Sequence, residues 1–258
     1  MLKLESFVQP RDIAEAYALL QEREDNLLLA GCTLSKMGQK QGHTGIDLSV
    51  LGLDGIERKE DGFHIGAMVN LRALEAVPAF VQPPYSILGQ AVAHFGTQLK
   101  QAITVGGTVA AKFGPSDLLT ALLALDARVV CYQSGVMSLD DFLKSPQKRD
   151  IITEVIVPLR TGKAAMQQVR NEYADFAVLN AAVCRDEQGW RVAVGGRPGA
   201  AALCLQAMQA LAQGGSAEQA AALAAAELNF GSNMRASAVY RKTVCPVLVR
   251  RAIEEVQA

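Results

Sequence analysis

Thr104-Val105-Gly106-Gly107-Thr108, preceded by Gln98-Leu99-Lys100-Gln101-Ala102-Ile103, is the stretch that decides how the chain is read. A second stretch of the same character, Ala30-Gly31-Cys32-Thr33-Leu34-Ser35, follows the apolar run Leu27-Leu28-Leu29. Both read as glycine-containing turns after apolar strands. Small residues let the main chain approach a phosphate closely, and successive N–H groups form an anion-binding concavity. The hydroxyls of Thr33, Ser35, Thr104 and Thr108 add donors without adding charge. Asp117, in Gly114-Pro115-Ser116-Asp117, is a poor phosphate ligand but a good acceptor for ribose hydroxyls. The combination suits a dinucleotide held mainly by backbone. A plainer reading stands beside it: a Gly-Gly pair marks a turn, and Ser116-Asp117 ahead of Leu118 is what a helix N-cap looks like.

Working outward, 258 residues suffice for one large or two modest domains, each with a core of its own. Half the residues are hydrophobic and 20% are charged, the balance of an ordinary globular chain. Lys plus Arg is 25 against 26 for Asp plus Glu, a net charge of −1. Neither nucleic acid nor an anionic membrane is attracted by such a field. No apolar segment approaches the roughly 20 residues of a membrane span, and the N-terminus lacks signal-peptide features. Cys32, Cys131, Cys184, Cys204 and Cys245 have no zinc or iron–sulfur spacing, which suggests a reducing, cytoplasmic and metal-free chain. G-x-G-x-x-G, the Walker A motif, G-x-S-x-G and H-E-x-x-H are all absent.

Periodicity predicts a helix opened by Pro10 with Ile13, Ala16, Tyr17 and Leu20 on one face. Strands are expected at 27–30, 46–48, 63–66, 128–132 and 151–157. Helices are expected from Asn70 towards Pro78, after Pro84 to about Phe95, and over 118–125, with Ser138-Leu139-Asp140-Asp141 a capping box. Leu159-Arg160-Thr161-Gly162-Lys163 reads as a domain boundary. Beyond it, strands near 167–170, 177–184 and 190–194 precede helices at about 200–212, 216–228 and 237–255. The last helix carries Tyr240, Val244, Val247 and Leu248 on one face. Strands followed by helices, without strict alternation, indicate α+β architecture.

The order of these segments resembles the FAD-binding medium subunit of molybdenum hydroxylases, the group containing xanthine dehydrogenase and aerobic carbon monoxide dehydrogenase. Ala30-Gly31-Cys32-Thr33-Leu34 stands where that family has A-G-G-T-x. Gln98 to Gly107 resembles Q-x-R-x-x-x-T-x-G-G, with Lys100 in place of Arg. Pro115-Ser116-Asp117-Leu118 is similar to P-x-S-D, followed by Ala121-Leu122-Leu123-Ala124-Leu125-Asp126-Ala127. Asp150-Ile151-Ile152-Thr153-Glu154-Val155 looks like the end of the flavin domain. Arg170 to Ala177, containing Asp175-Phe176-Ala177, and Met234-Arg235-Ala236-Ser237-Ala238-Val239-Tyr240-Arg241 match its C-terminal domain.

The resemblance implies an α+β fold: a two-lobed FAD-binding domain of the p-cresol methylhydroxylase type over 1–160 (lobes about 1–52 and 53–160). A smaller α+β domain, an antiparallel sheet with helices, follows over 164–258. It also implies that Ala30, Gly31, Cys32, Thr33 and Leu34 hold one side of the FAD diphosphate and Thr104, Val105, Gly106, Gly107 and Thr108 the other. Asp117 then serves the ribitol or ribose, and Ile152 lies near the isoalloxazine. The implied role is electron transfer. A [2Fe–2S] small subunit and a large subunit with the molybdenum cofactor are the partners, and NAD⁺, a quinone or another acceptor takes the electrons. Cys32 replaces the usual second glycine, Leu34 a polar residue and Thr108 a frequent Asn. The alternatives are therefore a scaffold subunit of the same complex with a decayed flavin site, or a free-standing flavin oxidoreductase.

Overall fold

The computed structural model describes residues 2–33, 41–146 and 149–258. Its strands are β1 (Lys3–Val8), β2 (Leu27–Leu29), β3 (Gln41–Asp47), β4 (Ile56–Lys59), β5 (Gly62–Gly66), β6 (Arg128–Cys131), β7 (Gly135–Ser138), β8 (Ile152–Pro158), β9 (Lys163–Val169), β10 (Leu179–Asp186), β11 (Gly189–Gly195) and β12 (Ala202–Leu203). The helices are α1 (Ile13–Glu22), α2 (Leu71–Glu75), α3 (Ser86–Val92), α4 (Thr97–Ala102), α5 (Val105–Ala111), α6 (Asp117–Ala124), α7 (Leu139–Lys144), α8 (Leu205–Ala212), α9 (Ala217–Glu227) and α10 (Ala238–Gln257). The α+β expectation holds. Contacts divide the chain into two compact units: Met1–Ala73 with Gly96–Ala111 and Arg128–Val157, and Leu74–Phe95 with Lys112–Ala127 and Pro158–Ala258.

In the first unit, β1, β3 and β2 form a parallel sheet in that order. The expected helix follows β1: the Asp12 carboxylate accepts the Glu15 N–H at 2.8 Å and starts α1. Ala16 and Leu20 of α1 are buried with Ile46, Leu48 and Ile151, while Ile13 and Tyr17 pack against them. Just past the other end of α1, the Arg149 guanidinium donates to the Arg23 and Glu24 carbonyls, 2.7 Å each. A five-stranded sheet of order β4-β5-β8-β6-β7 completes the unit. His64 of β5 places Nε2 2.8 Å from Asp61 and Nδ1 3.0 Å from Glu154 of β8. Of the expected capping box the N-cap half forms, Ser138 Oγ accepting the Asp141 N–H at 3.0 Å, while the Asp141 carboxylate accepts the Ser138 hydroxyl at 2.7 Å.

Asp150 ties the β6–β7 hairpin to β8, accepting the N–H groups of Gln133, Ser134 and Ile151 at 3.1, 2.8 and 2.8 Å. Partial burial pushes its carboxyl up, but these hydrogen bonds outweigh that and hold it below the usual range. A depressed carboxyl stabilises the fold at pH above the unfolded value of about 4 and loses that contribution as pH falls. Asp150→Asn is therefore expected to lower the urea midpoint at neutral pH and to flatten the loss of stability on acidification. An unchanged acid limb would contradict it.

The second unit is built on an antiparallel sheet of order β12-β11-β10-β9. Leu179 to Cys184 of β10 are buried on both faces. Leu179, Ala181 and Val183 join Val192, Val194 and helices α8, α9 and α10 in the core. Asn180 points to the opposite face, towards α6, whose eight residues are all buried. The alanine run of α9 buries Ala217, Ala220, Ala221, Ala224 and Ala225, a smooth surface for α10. One expectation is corrected. The buried stripe of α10 is Arg241, Cys245, Leu248, Val249, Ala252, Ile253 and Val256, whereas Tyr240 and Val247 are exposed. Arg241 sits where an apolar residue would mark the stripe, and its guanidinium donates to the carbonyls of Val178, Gly231 and Ala236 and to the Asn233 side chain.

Candidate flavin-binding site

The first expected loop leaves the carboxyl end of β2, a parallel strand, where open sheets present ligand sites. Ala30, Gly31, Cys32 and Thr33 are half-buried there, and Leu34 lies outside the described residues. A Cβ added to Gly31 would lie 1.5 Å from the Ala102 carbonyl oxygen. The loop backbone therefore presses directly on the residues that lead into Ile103-Thr104. Cys32 adopts the left-handed region at φ 55°, the conformation for which glycine is the default. Cys32 therefore stands on a glycine-like backbone.

The second loop differs from its expected setting. Helix α4, not a strand, precedes it, and Val105 to Thr108 form the first turn of α5. Its amides are already engaged. Val105 and Gly106 donate to the carbonyls of Val69 and Ala67, 2.9 Å each, and Thr108 donates to the Thr104 carbonyl at 3.0 Å. The Gly107 N–H goes to Thr104 Oγ1 at 3.1 Å, and the Thr108 hydroxyl to the Thr104 carbonyl at 2.9 Å. An anion beside this loop meets one free hydroxyl hydrogen, that of Thr104, rather than open amides. Thr104 Oγ1, having accepted from Gly107, keeps its own hydrogen to donate.

Ile152 opens β8 and is buried opposite Cys131. It neighbours Thr153, whose carbonyl accepts the Ala67 N–H at 2.9 Å, so the strand end leads to the segment that holds Gly106. The structure thus brings the two loops together and sets Ile152 one residue from their support.

Asp117 belongs to the second unit, at the start of α6. Ser116, not Asp117, caps the helix, accepting the Leu119 N–H at 3.3 Å. Asp117 is 3% exposed. One carboxylate oxygen accepts from Arg170 and the other from Asn180 at 2.6 Å, and Asn180 in turn accepts the Thr120 hydroxyl at 2.7 Å. Burial pushes the Asp117 carboxyl up against the pull of Arg170, the balance expected of a buried ion pair. Sequence reasoning missed Arg170 and Asn180 as its partners, and Ala67, Val69 and Ala102 as the backbone frame of the loops. No motif marks Ala67, Val69 and Ala102, because they act through carbonyls that any residue supplies, and Arg170 and Asn180 lie 53 and 63 positions from Asp117. Among the thiols, burial pushes Cys184 up to about 11 and Cys245 up to about 12, so neither is a nucleophile at neutral pH.

Residues 2–160 match the model of the FAD binding domain in molybdopterin dehydrogenase, and residues 164–256 match the CO dehydrogenase flavoprotein C-terminal domain. An α+β chain made of these two parts is an FAD-binding oxidoreductase component. The chain belongs to the molybdopterin dehydrogenase FAD-binding family. It is 29% identical over 257 residues to the uncharacterized protein YgfM of Escherichia coli (strain K12), covering 95% of this chain and 94% of that one. It is 28% identical over 278 residues to the nicotine 6-hydroxylase medium subunit of Paenarthrobacter nicotinovorans, covering 98% and 97%. In fold it is similar to reconstituted CO dehydrogenase from Oligotropha carboxidovorans, with a TM-score of 0.87 at 22% identity over 98% of this chain and 97% of that one. No helix among the described residues is long and apolar enough to cross a membrane.

Proposed function

We propose that this chain is the FAD-carrying electron-transfer subunit of a multi-subunit molybdenum hydroxylase, working in the cytoplasm beside a [2Fe–2S] small subunit and a molybdenum-cofactor large subunit. In this reading residues 1–160 carry the flavin and 164–258 form the C-terminal part. The observation that carries it is the backbone contact of Gly31 with Ala102, which sets two small, uncharged, hydroxyl-bearing loops side by side in one unit. Bound FAD supplies the redox chemistry, taking electrons from iron–sulfur centres and passing them to NAD⁺ or another acceptor.

The chain's own part is to bind and orient. Ala30 to Thr33, with Leu34 following, give the diphosphate a backbone wall free of acidic side chains. Thr104 donates its hydroxyl hydrogen to it, while Val105, Gly106, Gly107 and Thr108 form the wall's other side. Ile152 gives an apolar edge for the ring system. The left-handed Cys32 supports a retained site over a decayed one, because the backbone keeps the shape a glycine would give it.

The test is the visible spectrum of the purified chain, which is expected to be yellow and to release FAD on denaturation. A folded, colourless protein that ignores added FAD would sink the proposal, and flavin-free co-purification with iron–sulfur and molybdenum subunits would favour a scaffold. Thr104→Val is expected to weaken FAD binding about 10- to 100-fold, the worth of one hydrogen bond to a charged group, with Thr104→Ser near wild type. Equal affinities for Val and Ser would remove the hydroxyl from the site.

A further inference from the structure

We infer that Ala67 is a positioning residue for flavin binding, holding the second loop in place without touching the cofactor. The inference rests on the flavin reading above. Ala67 follows β5 and is 3% exposed. Its N–H is fixed by the Thr153 carbonyl and its own carbonyl fixes the Gly106 N–H, 2.9 Å each. Its methyl lies against Gly106, where an added Cβ would come within 2.5 Å of the Ala67 Cβ. The neighbouring bonds run the same way: Val69 accepts from Val105 at 2.9 Å, and Leu71 donates to Ile103 at 3.0 Å. Residues 67–71 therefore form a rail on which residues 103–106 are seated. The side chain at 67 sets the height of Gly106 above it. A branched side chain there lifts Gly106, and with it Gly107 and the Thr104 hydroxyl that Gly107 holds.

The experiment titrates FAD onto the flavin-free full chain by fluorescence quenching, with no turnover required. Ala67→Val is expected to raise the Kd for FAD about tenfold or more, and Ala67→Ser to stay close to wild type. Ala16→Val, which crowds the fully buried core under α1, is the control for ordinary loss of stability and is expected to leave the Kd of folded protein unchanged. Ala67→Thr, branched like valine, gives the reading if Ala67→Val does not fold. Wild-type affinity in the enlarged variants overturns the inference, as does equal weakening by Ala16→Val. A wild-type chain that takes up no FAD overturns the flavin reading itself, and shows this before any variant is compared.

Discussion

Gly31→Ala is expected to abolish FAD uptake and to lower the stability of the chain by about 3 kcal/mol, the upper range for forcing an extra methyl into a packed site. The new Cβ would lie 1.5 Å from the Ala102 carbonyl oxygen and 2.7 Å from its carbon. That neighbour is main chain at the end of α4, so no side-chain rotation relieves the clash. Either the β2 end or the Ala102–Ile103 link must move, and the two loops part. Gly31 has no left-handed backbone to explain the glycine, so its requirement is close approach alone. Urea unfolding and flavin absorbance measure the two effects. A yellow variant with the wild-type midpoint would mean that the loops do not meet.

Asp117→Ala is expected to cost about 3–5 kcal/mol, the usual loss when one partner of a buried ion pair is removed. Among the described residues the Arg170 guanidinium would keep the Gln168 side chain and the Asp175 carbonyl, and Asn180 would lose its carboxylate. The measurement is a shift in urea midpoint at constant slope. Replacing both members, as in Asp117→Leu with Arg170→Met, is expected to recover much of the loss, because the desolvation of both charges disappears with their attraction. A loss below about 1 kcal/mol for the single variant, the scale of an exposed pair, would place Asp117 outside the frame of the second unit.

Much of this was legible in the sequence for definite reasons. Asp12, Ser116, Ser138, Ser216 and Ser237 each cap a helix as their side chains suggest. The apolar runs at 128–131 and 152–158 became buried strands. β1 was not read, because only Leu4 and Val8 of its residues are partly buried and no apolar run betrays it. Two glycines hid α5, since glycine lowers helix propensity; the carbonyls of Ala67 and Val69 supply the tertiary hold that overrides it. Arg241 hid the face of α10 by putting a charge in the apolar stripe. At the site, motif resemblance located both loops. It could not show which donors they have left to offer, because that depends on partners over thirty positions away in the chain.

The two family matches meet at residues 161–163, but the physical units do not divide there. Helix α6 lies wholly within the first match, yet it packs on β10, β11 and β12 and sends Asp117 to Arg170 and Asn180. Severing the chain at that junction would leave one fragment with a bare leucine-rich helix and the other with an uncovered sheet face. The halves are thus not interchangeable modules: a gene that swapped one would have to carry residues 74–95 and 112–127 with the other, and any drift in α6 is answerable to the C-terminal sheet.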